Sequence, residues 1–194
     1  MKERDFLENK KIALKKLEKA KNEKQVDEGI IRILDIINKT DNYYTSSSCF
    51  GRIVLLEIPR IGDKKNAKFL GKWHRKIKTE ELLEALNKAE KGQLWFLAQS
   101  SIIHLSAKTI EAADKILKIA YSCGFKHSGF KTIENNIVVE ICGTERLDAP
   151  VGMDKKIFCN NNHLDLLVNI SNEIIDKSNK KLNKFEEKLK EIFK

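Results

Sequence analysis

The residues best equipped for chemistry form one run, Thr45-Ser46-Ser47-Ser48-Cys49-Phe50-Gly51-Arg52. Four consecutive hydroxyls, a glycine open to unusual backbone angles and a guanidinium that grips two oxygens at once can together hold a carboxylate or a phosphate. The same residue types also suit a Ser/Thr-rich edge strand with Arg52 at the surface, and at this level both readings stand. Cys49 becomes a nucleophile only if a base such as His74 or His104 takes its proton, and nothing adjacent in sequence supplies that pairing. His104, inside Ile102-Ile103-His104-Leu105, reads first as a hydrogen-bonded, partly buried histidine.

A second polar cluster, Gly143-Thr144-Glu145-Arg146-Leu147-Asp148-Ala149-Pro150, follows an apolar strand. It offers acids, a cation and a hydroxyl, either to a site at a strand end or to a solvated connection with an internal contact from Arg146 to an acid. The charge is more decisive. Between Arg60 and Lys78 lie Arg60, Lys64, Lys65, Lys68, Lys72, Arg75, Lys76 and Lys78 against the single acid Asp63, so most of the net charge of +9 sits there. Such a field suits a polyanion. Trp73 and His74 add flat rings that can stack on an unpaired base while the cations hold phosphates. Lys64, Lys65, Lys68, Lys72, Arg75 and Lys76 are therefore the candidate RNA contacts, with a solvated, salt-screened lysine surface as the alternative.

These groups need elements to position them. Phe6, Ala13, Leu14, Leu17 and Ala20 form a loose helical stripe, and Val26, Ile30, Ile31, Ile33, Leu34 and Ile37 a stronger one ending near Asn38. Strands are expected at Tyr43 to Ser48 and Arg52 to Ile58, separated at Cys49-Phe50-Gly51 and stopped by Pro59. Gly62-Asp63 marks a hairpin loop leading to a strand from Ala67 to about Arg75, which places the basic cluster on a hairpin. Thr79 can cap a helix over Glu80 to Glu90. Strands follow at Leu94 to Ala98 and Ile102 to Ser106, then a helix over Thr109 to Cys123 terminated by Gly124. Two further strands, Ser128 to Glu134 and Ile137 to Cys142, meet at an Asn135-Asn136 turn. From about Asn161 the chain is helical, its charged last turns either projecting or pairing with the first helix.

This order predicts an α+β fold, a single methyltransferase-like domain over 1–194 of mixed, largely hairpin-connected strands with packed helices and helical flanks at 1–40 and 160–194. No Gly-x-Gly-x-x-Gly follows a strand, so a Rossmann-like site is not expected. The four cysteines, Cys49, Cys123, Cys142 and Cys159, lack zinc-ligand spacing, so neither a metal site nor disulfides are expected. No apolar run approaches a membrane span and the start does not resemble a secretion signal, which predicts a cytoplasmic protein without a membrane partner.

The blocks Tyr44 to Ile53, Gly71-Lys72-Trp73-His74, Ile103-His104-Leu105, Gly124-Phe125-Lys126-His127-Ser128-Gly129 and Thr144-Glu145-Arg146-Leu147-Asp148-Ala149-Pro150 occur in collinear order over roughly Asp41 to Val151. In that order the chain resembles the tRNA wybutosine-synthesising protein 3 family in its archaeal single-domain form. Phe50 stands where that family usually has a small serine, and His127 where an asparagine is common. The resemblance implies methyl transfer from S-adenosylmethionine to N4 of the 7-aminocarboxypropyl-demethylwyosine base at position 37 of tRNA-Phe, in the single-stranded anticodon loop. It further implies that Ser46, Ser47, Ser48, Gly51 and Arg52 meet the carboxylate of the cofactor or of the substrate. Trp73 would stack on a base or on the cofactor adenine, and His74, His104 and Glu145, in that order, are candidate bases. A tRNA-binding module without chemistry, or a Cys49-based enzyme, is the alternative.

Overall fold

The computed structural model describes residues 3–134 and 136–193. In chain order the elements are α1 (Glu3–Asn22), α2 (Glu28–Lys39), β1 (Tyr43–Cys49), β2 (Arg52–Ile58), β3 (Lys68–Trp73), α3 (Thr79–Leu86), β4 (Gln93–Gln99), β5 (Ile102–Ala107), α4 (Ile110–Ser122), β6 (Gly129–Thr132), β7 (Ile137–Cys142), β8 (Arg146–Met153), β9 (Lys156–Ile157) and α5 (Asn161–Ile192). The fold is α+β. Its strand pairings among the described residues are antiparallel, with hairpins at β2–β3, β6–β7 and β8–β9. The Asn135-Asn136 turn falls partly outside the described residues, since Asn135 is not among them. No described helix is long and apolar enough to cross a membrane.

The chain divides into two compact units. The first comprises the residues up to Phe50, Ser101–Thr144 and those from Asn179 onward. Its sheet runs β1-β5-β7-β6. Strand alternation sends Ile103, Leu105 and Ala107 of β5 and Ile137, Val139 and Ile141 of β7 into one core. Ile30, Ile33, Leu34 and Ile37 of α2 recur at helical spacing and meet them there, as do Ala113, Ile116 and Ala120 of α4. Thr109 caps α4 by accepting a hydrogen bond from the Ala112 amide at 3.1 Å, as its sequence position suggests. The end of α5 does not project, and Leu17 of α1 packs against the same core as its apolar face. Leu182, Phe185 and Leu189 are buried in this core because their spacing lines one face of the helix.

The second unit comprises Gly51–Ser100 and Glu145–Ser178. Its sheet runs β3-β2-β4-β8-β9, and one face packs Ile53, Leu55, Leu94, Phe96 and Ala98 against α3 and the first half of α5. Only the first three residues of the polar 143–150 segment, Gly143, Thr144 and Glu145, form a connection. From Arg146 onward it is strand β8, and Pro150 is tolerated because it stands opposite Trp95 beside a bulge where ladder pairing is already interrupted.

Helix α3 ends at Leu86, shorter than the pattern to Glu90 suggests, and Lys78 rather than Thr79 is its cap. Glu81 accepts from both Arg75 terminal nitrogens, at 2.7 and 3.1 Å, and from the Lys78 amide at 3.0 Å. The Arg75 hydrogen bond, helped by that amide, draws the Glu81 carboxyl down to about 2. A depressed carboxylate stabilises the fold fully above its ordinary value, and that contribution fades as pH falls through the folded value. Glu81→Gln is therefore expected to lower the melting temperature at neutral pH. The gap from wild type should close as thermal scans are taken from pH 4.5 towards 2.

Candidate active site

The serine run contains a bulge. Along β1 the register passes from Thr45 opposite Leu105 directly to Ser47 opposite His104, so Ser46 and Ser47 face one residue of β5. The Ser46 hydroxyl donates to the His104 carbonyl at 3.4 Å, and Ser47 Oγ lies 2.8 Å from His104 Nδ1. On the other side of β5, strand β7 places Glu140 opposite His104. His104 Nε2 is 2.7 Å from Glu140 Oε2, and Lys131 Nζ from β6 donates to Glu140 Oε1 at 2.8 Å. Because their neighbours in sequence turn to the core, His104 and Glu140 share the opposite face. Their side chains are 28% and 18% exposed, enough cover to strengthen these hydrogen bonds. Burial pushes the Glu140 carboxyl up, but hydrogen bonds from Lys131 and His104 outweigh it and hold the group below the usual carboxylate range.

Ser46, Ser47 and Ser48 also line a cavity of about 510 Å³ within the same unit. Ile12, Leu17 and Val26 supply apolar wall, and Asn9, Lys16 and Asn136 supply polar groups. The Asn136 Oδ1 is buried without a hydrogen-bond partner. A buried acceptor left this way is costly unless a ligand or water completes it. Cys49 is two rungs along from Ser47 and pairs with Ile102, while both nitrogens of His104 are engaged by Ser47 and Glu140. His104 is thus not the base that would activate Cys49. The Phe50 ring, large where the resemblance has a serine, lies on α2 at Gly29, where an added Cβ would stand 2.4 Å from it.

The remaining candidates belong to the second unit. Gly51 adopts φ +111°, a conformation other residues avoid. Arg52 Nε donates to Gln99 Oε1 at 2.9 Å, and no carboxylate pairs with Arg52 among the described residues. Trp73 packs against this unit's core with its ring over Gly71, where a Cβ would lie 2.1 Å from a ring carbon. His74 precedes α3, and Glu145, which is half-buried, immediately precedes β8.

Three of the six lysine and arginine candidates are engaged by acids: Lys68 by Glu90, Arg75 by Glu81 and Lys76 by Asp176. Lys64, Lys65 and Lys72 have no acidic partner among the described residues, and Lys72 Nζ lies 5.8 Å from the centre of the exposed Phe69 ring. Glu140, Lys131, Lys16 and Asn136 carry little signal in the sequence. An acid in an alternating strand, Ile137 to Cys142, was the one visible signal among them.

Comparison with known proteins gives these arrangements a context. A family model described as Methyltransferase TYW3 matches residues 8–191. A Pyrococcus horikoshii protein named tRNA(Phe) 7-((3-amino-3-carboxypropyl)-4-demethylwyosine(37)-N(4))-methyltransferase 1 is 47% identical over 186 residues, 95% of each chain. A Methanocaldococcus jannaschii protein of the same name without the number is 41% identical over 191 residues, 97% of this chain and 99% of its own. The solved structure of the PH1069 protein from Pyrococcus horikoshii superposes with a TM-score of 0.93 at 46% identity, covering 96% of this chain and 97% of the other. A hypothetical protein from Aeropyrum pernix, 28% identical, gives 0.74 and covers 86% and 98%. With the match running through both units and nearly end to end, the chain belongs to the TYW3 methyltransferase family.

Proposed function

We propose that this protein methylates N4 of the 7-aminocarboxypropyl-4-demethylwyosine base at position 37 of tRNA-Phe, with S-adenosylmethionine as donor. The observation that carries the reading is the near-complete match to relatives of that name. The engaged histidine beside a small-molecule-sized cavity supports it. The reading takes 1–194 as one functional domain in the cytoplasm.

The cavity under α1 suits the donor. Its volume of about 510 Å³ lies in the range of small-molecule sites, Lys16 can meet the carboxylate, and the unsatisfied Asn136 Oδ1 can accept from an amino group. Bound S-adenosylmethionine supplies a methyl group on a sulfonium whose departure needs no acid. The chain's own task is then to position the base and to accept the N4 proton. Among His74, His104 and Glu145, His104 is preferred for the second task because Glu140 and Ser47 already orient its ring. Ser46, Ser48, Gly51 and Arg52 remain proposed contacts to anionic groups. The packed position of Trp73 favours a structural role for most of its ring over stacking.

Incubation with labelled S-adenosylmethionine and tRNA-Phe carrying the demethylated precursor should transfer label to that base. Binding without transfer would favour a tRNA-binding module instead. For the tRNA surface, Lys64→Ala, Lys65→Ala and Lys72→Ala are each expected to weaken binding and to lower the slope of log affinity against log salt by roughly 0.7–0.9. Lys68→Ala, Arg75→Ala and Lys76→Ala should change it less, since their charges are already partly neutralised. Filter-binding titrations over a range of salt measure both sets.

A further inference from the structure

Glu140 is a partly buried acid with both oxygens occupied: Lys131 Nζ on Oε1 at 2.8 Å and His104 Nε2 on Oε2 at 2.7 Å. An ionised carboxylate only accepts hydrogen bonds, so the proton between them belongs to Nε2. That choice leaves His104 Nδ1 as an acceptor facing the Ser47 hydroxyl, 2.8 Å away. Ser47 in turn lines the cavity under α1. A line of hydrogen bonds therefore runs from a lysine on β6, across three strands, to a hydroxyl at a cavity wall.

We infer that Glu140 is a positioning residue that fixes the His104 tautomer, so that Nδ1 takes, by way of Ser47, the proton released from N4 during methyl transfer. The inference rests on the methyltransferase reading. As the N4 lone pair forms its bond to the methyl carbon, the carbon–sulfur bond breaks and its electron pair stays on sulfur. Ser47 Oγ receives the N4 proton and passes its own hydroxyl proton to Nδ1. The positive charge arising on the imidazole is then balanced by the Glu140 carboxylate, and Lys131 holds that carboxylate in place.

The side chains concerned are cross-strand neighbours, so a purely structural role would tie β1, β5 and β7 together and do no more. Glu140→Gln separates the two possibilities. Lys131 will keep the amide oxygen of the glutamine, which turns the amide NH2 towards His104 Nε2. That nitrogen must then accept, and the ring proton moves to Nδ1.

In the full-length protein with nitrogen-labelled histidine, NMR should find His104 protonated at Nε2 in wild type and at Nδ1 in Glu140→Gln. His104→Ala assigns the signal. In single-turnover methylation Glu140→Gln should lose about 100-fold in rate, with KM for tRNA held within about twofold. Ser47→Ala should lose rate comparably with the tautomer unchanged, and Glu140→Asp should recover part of the activity. An active wild type whose Glu140→Gln variant keeps its rate, or a wild-type His104 protonated at Nδ1, overturns the inference alone. A wild type that transfers no label overturns the methyltransferase reading and this proton route together, while leaving the tautomer result to be read independently.

Discussion

His104→Ala is expected to slow methyl transfer by roughly 10²–10⁴-fold while leaving tRNA affinity near that of wild type. The expectation follows from what the ring does in the structure. Neither nitrogen faces bulk solvent alone: Ser47 engages Nδ1 and Glu140 engages Nε2. On the proposed route alanine removes the proton acceptor and leaves the Ser47 hydroxyl with nothing to pass its proton to. The proposed sulfonium donor has a good leaving group, so the residual rate would reflect positioning alone. Single-turnover assays read the chemical step directly, and titration of labelled tRNA reads binding. An equal fall in both would mean that the substitution had damaged the surface on which tRNA sits, and the base assignment would fail.

Phe185→Ala is expected to cost about 3–5 kcal/mol of stability, the range for emptying a fully buried phenylalanine site. Phe185 is completely buried in the first unit's core, and its ring meets that of Phe125 edge-on with centroids 5.7 Å apart. Leu182 and Leu189, on the same face of α5, cannot close the void without moving the helix. Urea denaturation followed by circular dichroism measures the loss. Phe69→Ala is the control, because that ring is 54% exposed, so its stability change should be within about 0.5 kcal/mol. If Phe185→Ala proved as mild as Phe69→Ala, the last turns of α5 would be an ornament on the unit and not part of its core.

Much of this arrangement was legible in the sequence, for local reasons. The isoleucines of α2 repeat with the helical period, Thr109 and Gly124 bracket α4 by capping chemistry, and the serine run announced itself because packing does not explain it. Where the reading stopped, the cause was non-local. Nothing near Phe50 or Ser100 signals that successive strands β1 and β2, or β4 and β5, join different sheets, because that depends on which faces find a common core. Glu140 could not be paired with His104 in advance, since 36 residues separate them and only the β5–β7 register brings them together. The 143–150 segment misled through its glycine, proline and charges, which ordinarily mark a turn. Its alternation of Leu147, Ala149 and Val151 towards the core was the weaker signal and the correct one. The basic hairpin is legible for the residues through Lys72, whereas Arg75, Lys76 and Lys78 lie beyond β3, and the weight of these charges depends on acidic partners that lie outside it in sequence.

The bulge at Ser46 carries an implication for how such chains vary. Strand β1 has seven residues, Tyr43–Cys49, and spends two of them opposite His104. A chain one residue shorter here would still have hydroxyls, still pair with β5 and still look right by composition, but it would offer the histidine one serine instead of two. In this stretch, insertions and deletions are therefore more damaging than exchanges of one small hydroxyl for another. A relative that keeps the count but swaps a serine for threonine at position 46 should retain the geometry. One that keeps every residue type but drops a position has lost a contact that no substitution elsewhere in the strand restores.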